Sequence, residues 1–497
     1  MSEAVLRPPV LSPALGNILR LLALPLIGFV GLAAGSVFVP SSRIGLLGIS
    51  IATGVLVLGP VVLDRTRPPE RRHLLLTFFS LAYAWGFVLP GLSEYLGSEV
   101  YVREGSIASI RALQPDDIVR GQMVAFVGYA ALLLGYALPF GRIAATSVPK
   151  MGREWSHVST LTVASLMIPL GWAITLAGQL GLIPARAGSG ALGTIGSAAT
   201  FGLALLAICY HRYRSWPAVV ILVMMVPTTM AFNFFTGSKT LFLMPLAMIA
   251  TAHIVVTRRL RLWWFAGFFA AIILLYPISE IYRDYINTRH LGAIAVLSSP
   301  HHILRILSGF VHTSELSEYL SLGIQSTSAR LDILGIESVI VRDAGHRIPF
   351  QGGWSLSYVA IAWVPRVLWP GKPIMTIGQW VTDFFGPGPT ITSSTGPSWV
   401  GEFYFNFGWT GVAIGMAALG LWLRFLQESL LGLTATIPAL LAGVTTIFQI
   451  VPTIESTVVA PVNNVIFRLI PIVLTHLVVR AVTRPPVPER TRGTGSH

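Results

Sequence analysis

Charge is scarce in this chain. Only 11% of its 497 residues are Asp, Glu, Lys or Arg, while 53% are hydrophobic. A soluble domain carries about 25% charged residues, so this balance excludes an ordinary water-soluble protein. Cysteine is rarer still. Cys209 stands alone, which excludes an intrachain disulfide and any cysteine-based metal site. Acids are outnumbered, 21 against 34 basic residues, for a net charge of +13. A nucleic-acid partner does not follow from that excess, because no basic helix or stacking platform lies outside the apolar runs. Loops beside anionic lipid account for it instead. Among the basic residues lysine is nearly missing: only Lys150, Lys239 and Lys372 occur, and the rest are arginines. No internal repeat and no low-complexity tract is present.

Long apolar runs are what the chain has in place of charge. Its mean hydropathy is +0.70. A membrane-spanning helix needs roughly 20 mostly apolar residues, and a continuous helix satisfies its own backbone in lipid. The runs predict an all-α, polytopic integral membrane protein with about twelve spans. They fall near 15–37, 43–63, 73–95, 118–140, 158–181, 190–210, 216–235, 240–257, 262–281, 408–424, 432–453 and 463–480. The first run, Leu15 to Val39, is long enough to remain as a span rather than a cleaved leader.

The positions of the arginines orient these spans. Arg65, Arg67, Arg71 and Arg72 follow the second span; Arg142, Lys150 and Arg153 the fourth; Arg212 and Arg214 the sixth. Arg258, Arg259 and Arg261 follow the eighth, Arg424 the tenth, and Arg480, Arg484, Arg490 and Arg492 the last. Every second connection is thus short and basic, the positive-inside pattern. Both termini are expected in the cytoplasm. Four regions follow: a bundle of about nine spans over 1–282, a large extracytoplasmic segment over 283–407, three spans over 408–482, and a Pro-rich tail over 483–497.

The segment 283–407 is too long for a simple connection and too rich in Trp, Tyr, Phe and Ile to be unstructured. Its patterning predicts an amphipathic helix within Leu291–Ser321, another over Ser326–Val341, and an apolar one over Tyr358–Leu368 that dips into the membrane interface. The cations Arg283, Arg330, Arg366 and Lys372 lie here. Lys239 and Lys372 occupy turns on the same face, Gly237-Ser238-Lys239-Thr240 and Pro370-Gly371-Lys372-Pro373. An ammonium is a compact point charge suited to phosphate, although a lysine at a span end also snorkels to headgroups. Gly237-Ser238 precedes a helix start, where free amides favour an anion.

Tyr282-Arg283-Asp284-Tyr285 leaves the ninth span. Arg283 suits a phosphate or sugar acid and Tyr282 or Tyr285 suits stacking on a sugar; an aromatic belt with a local ion pair explains them equally well. Glu402 sits among Trp399, Phe403, Tyr404, Phe405 and Phe407 where the chain re-enters the membrane. Apolar surroundings raise a carboxyl and cations lower it, the balance a general base needs. Its bland alternative is a helix-start acid answering the dipole. His290, His301, His302, His312 and His346 lack metal-pair spacing, and His312 is a reserve base. Glu455 and Arg468 fall near the outer end of the last helix pair, and charges at such depth rarely face lipid.

The succession Gly237-Ser238-Lys239-Thr240, Tyr282-Arg283-Asp284-Tyr285, Ser328-Ala329-Arg330-Leu331-Asp332, Pro365-Arg366-Val367-Leu368-Trp369-Pro370-Gly371-Lys372-Pro373 and Gly401-Glu402-Phe403-Tyr404-Phe405-Asn406-Phe407-Gly408 resembles the Wzy-type polymerases of O-antigen and exopolysaccharide repeat units. Arg342 and Gly353 also match an arginine–ten residues–glycine spacing discussed for that family. The resemblance is strongest from Asn233 to Leu421. It implies a GT-C-like membrane glycosyltransferase of the bacterial inner membrane that joins undecaprenyl-pyrophosphate-linked oligosaccharides on the outer face. It implies catalytic roles for Glu402, Arg366 and Arg283. Substrate contacts would fall to Lys239, Arg330, Lys372, Tyr282, Tyr404 and His312. No cofactor is implied, and the expected partners are the lipid-linked substrate, the bilayer, a flippase and a chain-length regulator. The loops of this face hold no Asp-x-Asp or Glu-x-Asp pair and 36–44 holds no acid, so a metal-independent mechanism is expected. Three other readings stand beside it: an O-antigen ligase-like enzyme with a different acceptor, a polysaccharide or lipid transporter, and an assembly scaffold. Transport usually comes with pseudo-repeated halves, which this span pattern lacks.

Overall fold

The computed structural model describes residues 43–96, 113–182, 196–234, 239–260, 262–289, 308, 315–330, 333–362, 364, 368–369, 371–373, 375–385, 394–432 and 435–483. The first expected span, 15–37, lies outside them. The described residues contain no β-strand; their one β-type pairing is an isolated bridge, Ala344 to Ile348.

In chain order the helices are α1 (Arg43–Thr66), α2 (Leu74–Tyr95), α3 (Pro115–Ala137), α4 (Phe140–Thr146), α5 (His157–Gln179), α6 (Ala198–Tyr213) and α7 (Trp216–Phe234). Then come α8 (Lys239–Thr257), α9 (Leu262–Arg289), α10 (Leu316–Arg330), α11 (Ile333–Asp343), α12 (Ile377–Phe385), α13 (Trp399–Leu430), α14 (Ile437–Ile450) and α15 (Val459–Val482). Seven of them are long and apolar enough to cross a membrane: α1, α2, α3, α5, α7, α13 and α15. α8 and α14 have shorter apolar stretches. α6 is a 16-residue helix whose residues 198–209 are all buried, which makes it the inner post of the N-terminal half.

Some elements depart from the sequence expectation. The ninth run continues as helix through Arg283 to Arg289. The helix expected over 326–341 is two helices, α10 and α11, with 331–332 between them. Among the described residues of the apolar stretch 358–368, helix covers Tyr358–Ile361. α2 contains a π-helical turn at Ala84–Val88, just before Pro90, whose missing N–H leaves the normal i−4 bond unformed.

α3 and α13 form the central seam. Gly128 meets Val412, Gly135 meets Ala417 and Gly141 meets Leu421, so the two helices run in the same direction. Their approach is close enough that a Cβ on Gly135 would stand 1.9 Å from the Ala417 carbonyl oxygen, and one on Gly420 2.0 Å from that of Leu132. Small residues allow such contact where lipid offers no hydrophobic drive between helices.

The basic turns gather at one end of this seam. Arg258 donates to the carbonyls of Leu431 and Gly432, which terminate α13, and accepts at its own carbonyl from Arg72. Arg424 donates to His73 Nδ1 at 3.1 Å and pairs with Glu428 at 2.7 Å. Arg153 donates to the carbonyls of Arg480 and Thr483, capping the end of α15, and Glu154 binds both Arg212 and the Ile437 amide. The turns that the positive-inside pattern assigns to one face are therefore physically together.

Candidate functional site

At the opposite end, α13 starts with Ser398, whose φ of 63° turns the chain sharply into the helix. Its hydroxyl accepts from the Gly401 amide at 2.9 Å and donates to Glu337 Oε2 at 2.6 Å. This is an N-cap whose own hydroxyl proton is taken up by a second residue. Gly408 interrupts the same helix with φ 62° and ψ −147°. A left-handed φ without a Cβ penalty is available to glycine alone at no cost. The break leaves a short helix, Trp399–Phe407, folded back so that Phe403 lies against Gly411 and Gly415. The carbonyls freed by the break are answered from the long segment: Gln351 N donates to Phe405 O at 3.0 Å and Gly352 N to Asn406 O at 3.1 Å. Gly353 N donates to Asn406 Oδ1 at 2.9 Å. Arg342 and Gly353, paired by spacing in the sequence, thus belong to different sub-structures, the second of which clamps this break.

Two carboxyl groups are buried beside that first turn. Glu402 is 0% exposed; Oε2 accepts from the Val458 amide at 2.5 Å. Ser355 lies beside the carboxyl, but no hydrogen bond of proper geometry reaches Oε1 among the described residues. Asn406 braces the turn by donating to Ser355 Oγ at 2.8 Å and to the Glu402 carbonyl at 2.7 Å. Glu337, on α11, is also 0% exposed, and its Oε1 likewise finds no partner among the described residues. Burial pushes the Glu337 carboxyl up to about 8, against the opposing pull of the Ser398 hydroxyl and the Gly401 amide. At neutral pH Glu337 therefore carries its proton.

Aromatic rings and a guanidinium cluster lie around this turn. Tyr404 stands edge-on to Phe350 at 6.3 Å and to Trp409 at 5.9 Å. Trp380 of α12 contacts Trp354 at 5.7 Å and Phe405 at 5.2 Å. Arg342 pairs with Asp343 at 3.0 Å and faces Asp117 at 3.8 Å, while Arg347 reaches Asp343 at 2.7 Å. The hydrogen bond to Asp343 raises the Arg342 guanidinium further above its ordinary value.

The residues singled out from the sequence fall into three groups. Glu402 and Tyr404 lie in the short helix described above. Tyr282 is buried on α9, stacked on Phe234 at 4.5 Å, and Lys372 directs its ammonium to the carbonyls of Ala362 and Val364 at 2.9 and 3.0 Å. The backbones of Lys239, Arg283 and Arg330 are helical, but their side chains lie outside the described residues, as do Arg366 and His312 altogether. Glu337, Ser398 and Asn406 were not anticipated. The signal for Glu337 was a lone acid in the apolar run Ile333–Val341. Among the described residues no three His, Cys, Asp or Glu side chains gather closely enough for a metal ion. No family model, curated protein or solved structure matches this chain.

Chemically, Glu402 is a buried carboxyl group held by one oxygen, with no hydrogen-bond partner at the other among the described residues. Such a group can take a proton from a hydroxyl brought against it. Glu337 is a neutral acid on the far side of the same turn and serves the turn's shape.

Proposed function

We propose that this chain is a bacterial inner-membrane glycosyltransferase that polymerises lipid-linked oligosaccharide repeat units, with about twelve spans, both termini in the cytoplasm and Glu402 on the outer side. The observation that carries the reading is Glu402 itself. It is a fully buried carboxyl with one oxygen unpartnered among the described residues, in a short helix that the long aromatic segment closes over. The gathering of the basic turns at the other end of the bundle supports the orientation. The order of motifs supports the family.

In this reaction the terminal hydroxyl of one lipid-linked unit attacks the anomeric carbon of the growing chain. The bond from that carbon to pyrophosphate breaks, and the hydroxyl proton passes to Glu402 Oε1. Undecaprenyl pyrophosphate leaves with the bonding electrons, and fixed cations stabilise the developing charge. Arg283 and Arg366 take that role, with Arg330, Lys239 and Lys372 holding the remaining phosphate or sugar acids. Tyr404 and His312 line the sugars; Tyr282, buried and stacked on Phe234, is not among them.

The test is Glu402→Gln, which keeps the shape and removes the base. Removal of a general base costs about 10²–10⁴-fold in rate. Cells carrying the variant at normal protein level are expected to accumulate single-repeat glycolipid. Long polymer at the wild-type level would exclude Glu402 as the base, and failure of the purified wild-type protein to consume lipid-linked repeat units would exclude the reaction.

A further inference from the structure

Arg468 lies in the middle of α15, and the reaction above makes no use of it. Its Nη1 donates to Ser197 Oγ at 2.7 Å, and its guanidinium carbon stands 5.6 Å from the Phe201 ring centre. Those contacts engage one of five N–H donors and offer no negative charge. Nor do the described neighbours supply one. α6 packs against α5, α7, α8 and α14, and α15 against α14 and the acid-free turn Tyr358–Ile361. None of α5, α6, α7, α8, α14 and α15 contains an Asp or Glu, and neither does the stretch 180–196.

The placement is electrostatically unfavourable as it stands. Arg468 is nine residues into α15, about 14 Å along a helix rising 1.5 Å per residue. Ser197 is the N-cap residue of the buried helix α6, and its side chain makes no capping bond to that helix. A guanidinium in apolar surroundings without a counter-ion costs several kcal/mol. Charged residues at such depth face cavities or partners and mark binding sites. An anion placed beside the guanidinium answers its charge.

We infer that Arg468, with the Ser197 hydroxyl, forms an intramembrane site for a phosphate group carried by a lipid. The guanidinium fork matches two phosphate oxygens. The lipid is required by position: α15 is apolar on its exposed side, at Ile470, Val473, Leu474 and Leu477, so a free phosphate would have to shed its water with nothing apolar to bring it in. Glu402 bonds to the amide of Val458, ten residues before Arg468, about 15 Å of helix away. That separation is too great for the leaving phosphate of the proposed transfer, so this site stands whether or not that reaction does.

The test uses the full-length protein in detergent with four lipid probes: polyprenyl phosphate against polyprenol, and phosphatidylglycerol against diacylglycerol. Binding is read by native mass spectrometry and by the rise in melting temperature. Wild-type protein is expected to bind at least one phosphorylated lipid about tenfold or more tighter than its unphosphorylated counterpart. Arg468→Gln is expected to abolish that preference, and Arg468→Lys to keep part of it. Preference for polyprenyl phosphate alone identifies the isoprenoid carrier as the source; preference for both identifies bilayer phospholipid. Equal binding of phosphorylated and unphosphorylated lipids by the wild-type protein, or an undiminished preference in a folded Arg468→Gln variant, overturns the site. Tight binding of inorganic phosphate alone overturns the lipid assignment.

Discussion

Replacing Glu337 with Gln should change how the protein's stability responds to alkali. In the folded chain this carboxyl is pushed up to about 8 by burial, against an ordinary 4.5. Between those values the folded state holds a proton that the unfolded state has released. Stability therefore falls as pH rises from 4.5 through about 8, and the loss is complete above that. The full gap of about 3.5, at 1.36 kcal/mol each, is about 5 kcal/mol; the part falling between pH 6 and pH 9 is about 2–3 kcal/mol. Gln keeps an acceptor for the Ser398 hydroxyl and cannot ionise. The assay is thermal or denaturant unfolding of both proteins in one detergent from pH 6 to pH 9. Other groups titrate in that window, but they cancel in the difference between the two curves. The wild type should lose stability relative to Glu337→Gln as pH rises, and the variant should be the more stable protein at pH 9. Parallel curves would show that Glu337 is not held protonated, and the account of this helix start would fail.

Three further outcomes are expected. His73 accepts from both Arg424 and the Tyr136 hydroxyl at Nδ1, and burial, with Arg424, Arg67 and Arg258 nearby, lowers it to about 3. The unfolded chain therefore takes up the proton first, and stability present above 6.5 is lost as pH falls. Relative to His73→Gln, the wild type should lose about 2 kcal/mol between pH 7.5 and pH 5 in the same unfolding assay. Gly135→Ala places a methyl 1.9 Å from the Ala417 carbonyl oxygen, so α3 and α13 must separate; a cost of at least about 1–3 kcal/mol should appear as a lower melting temperature, and an unchanged value would refute the seam. Arg366→Ala should abolish polymer and leave single-repeat glycolipid at unchanged protein level, and normal long polymer would remove Arg366 from the reaction.

Much of the bundle was legible because spans are long apolar runs, and run length is a direct consequence of bilayer thickness. α1, α2, α3, α5, α7 and α15 lie within a few residues of the runs read from sequence. The direction of packing adds an independent check. α3 and α13 correspond to the fourth and tenth runs, and their parallel contact requires an odd number of crossings between them, as the five runs from the fifth to the ninth supply. Even the start of the tenth run at 408 coincides with the break at Gly408, because the same glycine ends the aromatic short helix and begins the apolar one. Helical turns on the other side of that break reach back to Trp399, a stretch that hydropathy alone separates from the span.

The interior of the long segment was not legible. α11 has 11 residues, too few to cross a membrane, so its apolar face reads as a surface helix; it is buried against α3 instead, with Ser338 against Gly121. Glu337 was missed for the same reason, since an acid in an amphipathic helix looks solvated until its partner is known. That partner, Ser398, is 61 residues away. The buried state of Glu402 was expected from its aromatic neighbours, but its anchor at the Val458 amide comes from a turn that carries no sequence signal.

The burial of α11 bears on how the chain is assembled. Eleven residues span about 16 Å at 1.5 Å each, so the insertion machinery cannot leave this helix across the bilayer as it does its neighbours. In the topology proposed above it is exported with the surrounding segment and then slots back between helices made some two hundred residues earlier and sixty later. Ser398 is synthesised after it, so the slot closes only when the tenth run has been placed. In that topology Glu337 would enter ionised and end protonated, so the closing step would consume one proton and be favoured by acidity on the side from which α11 arrives.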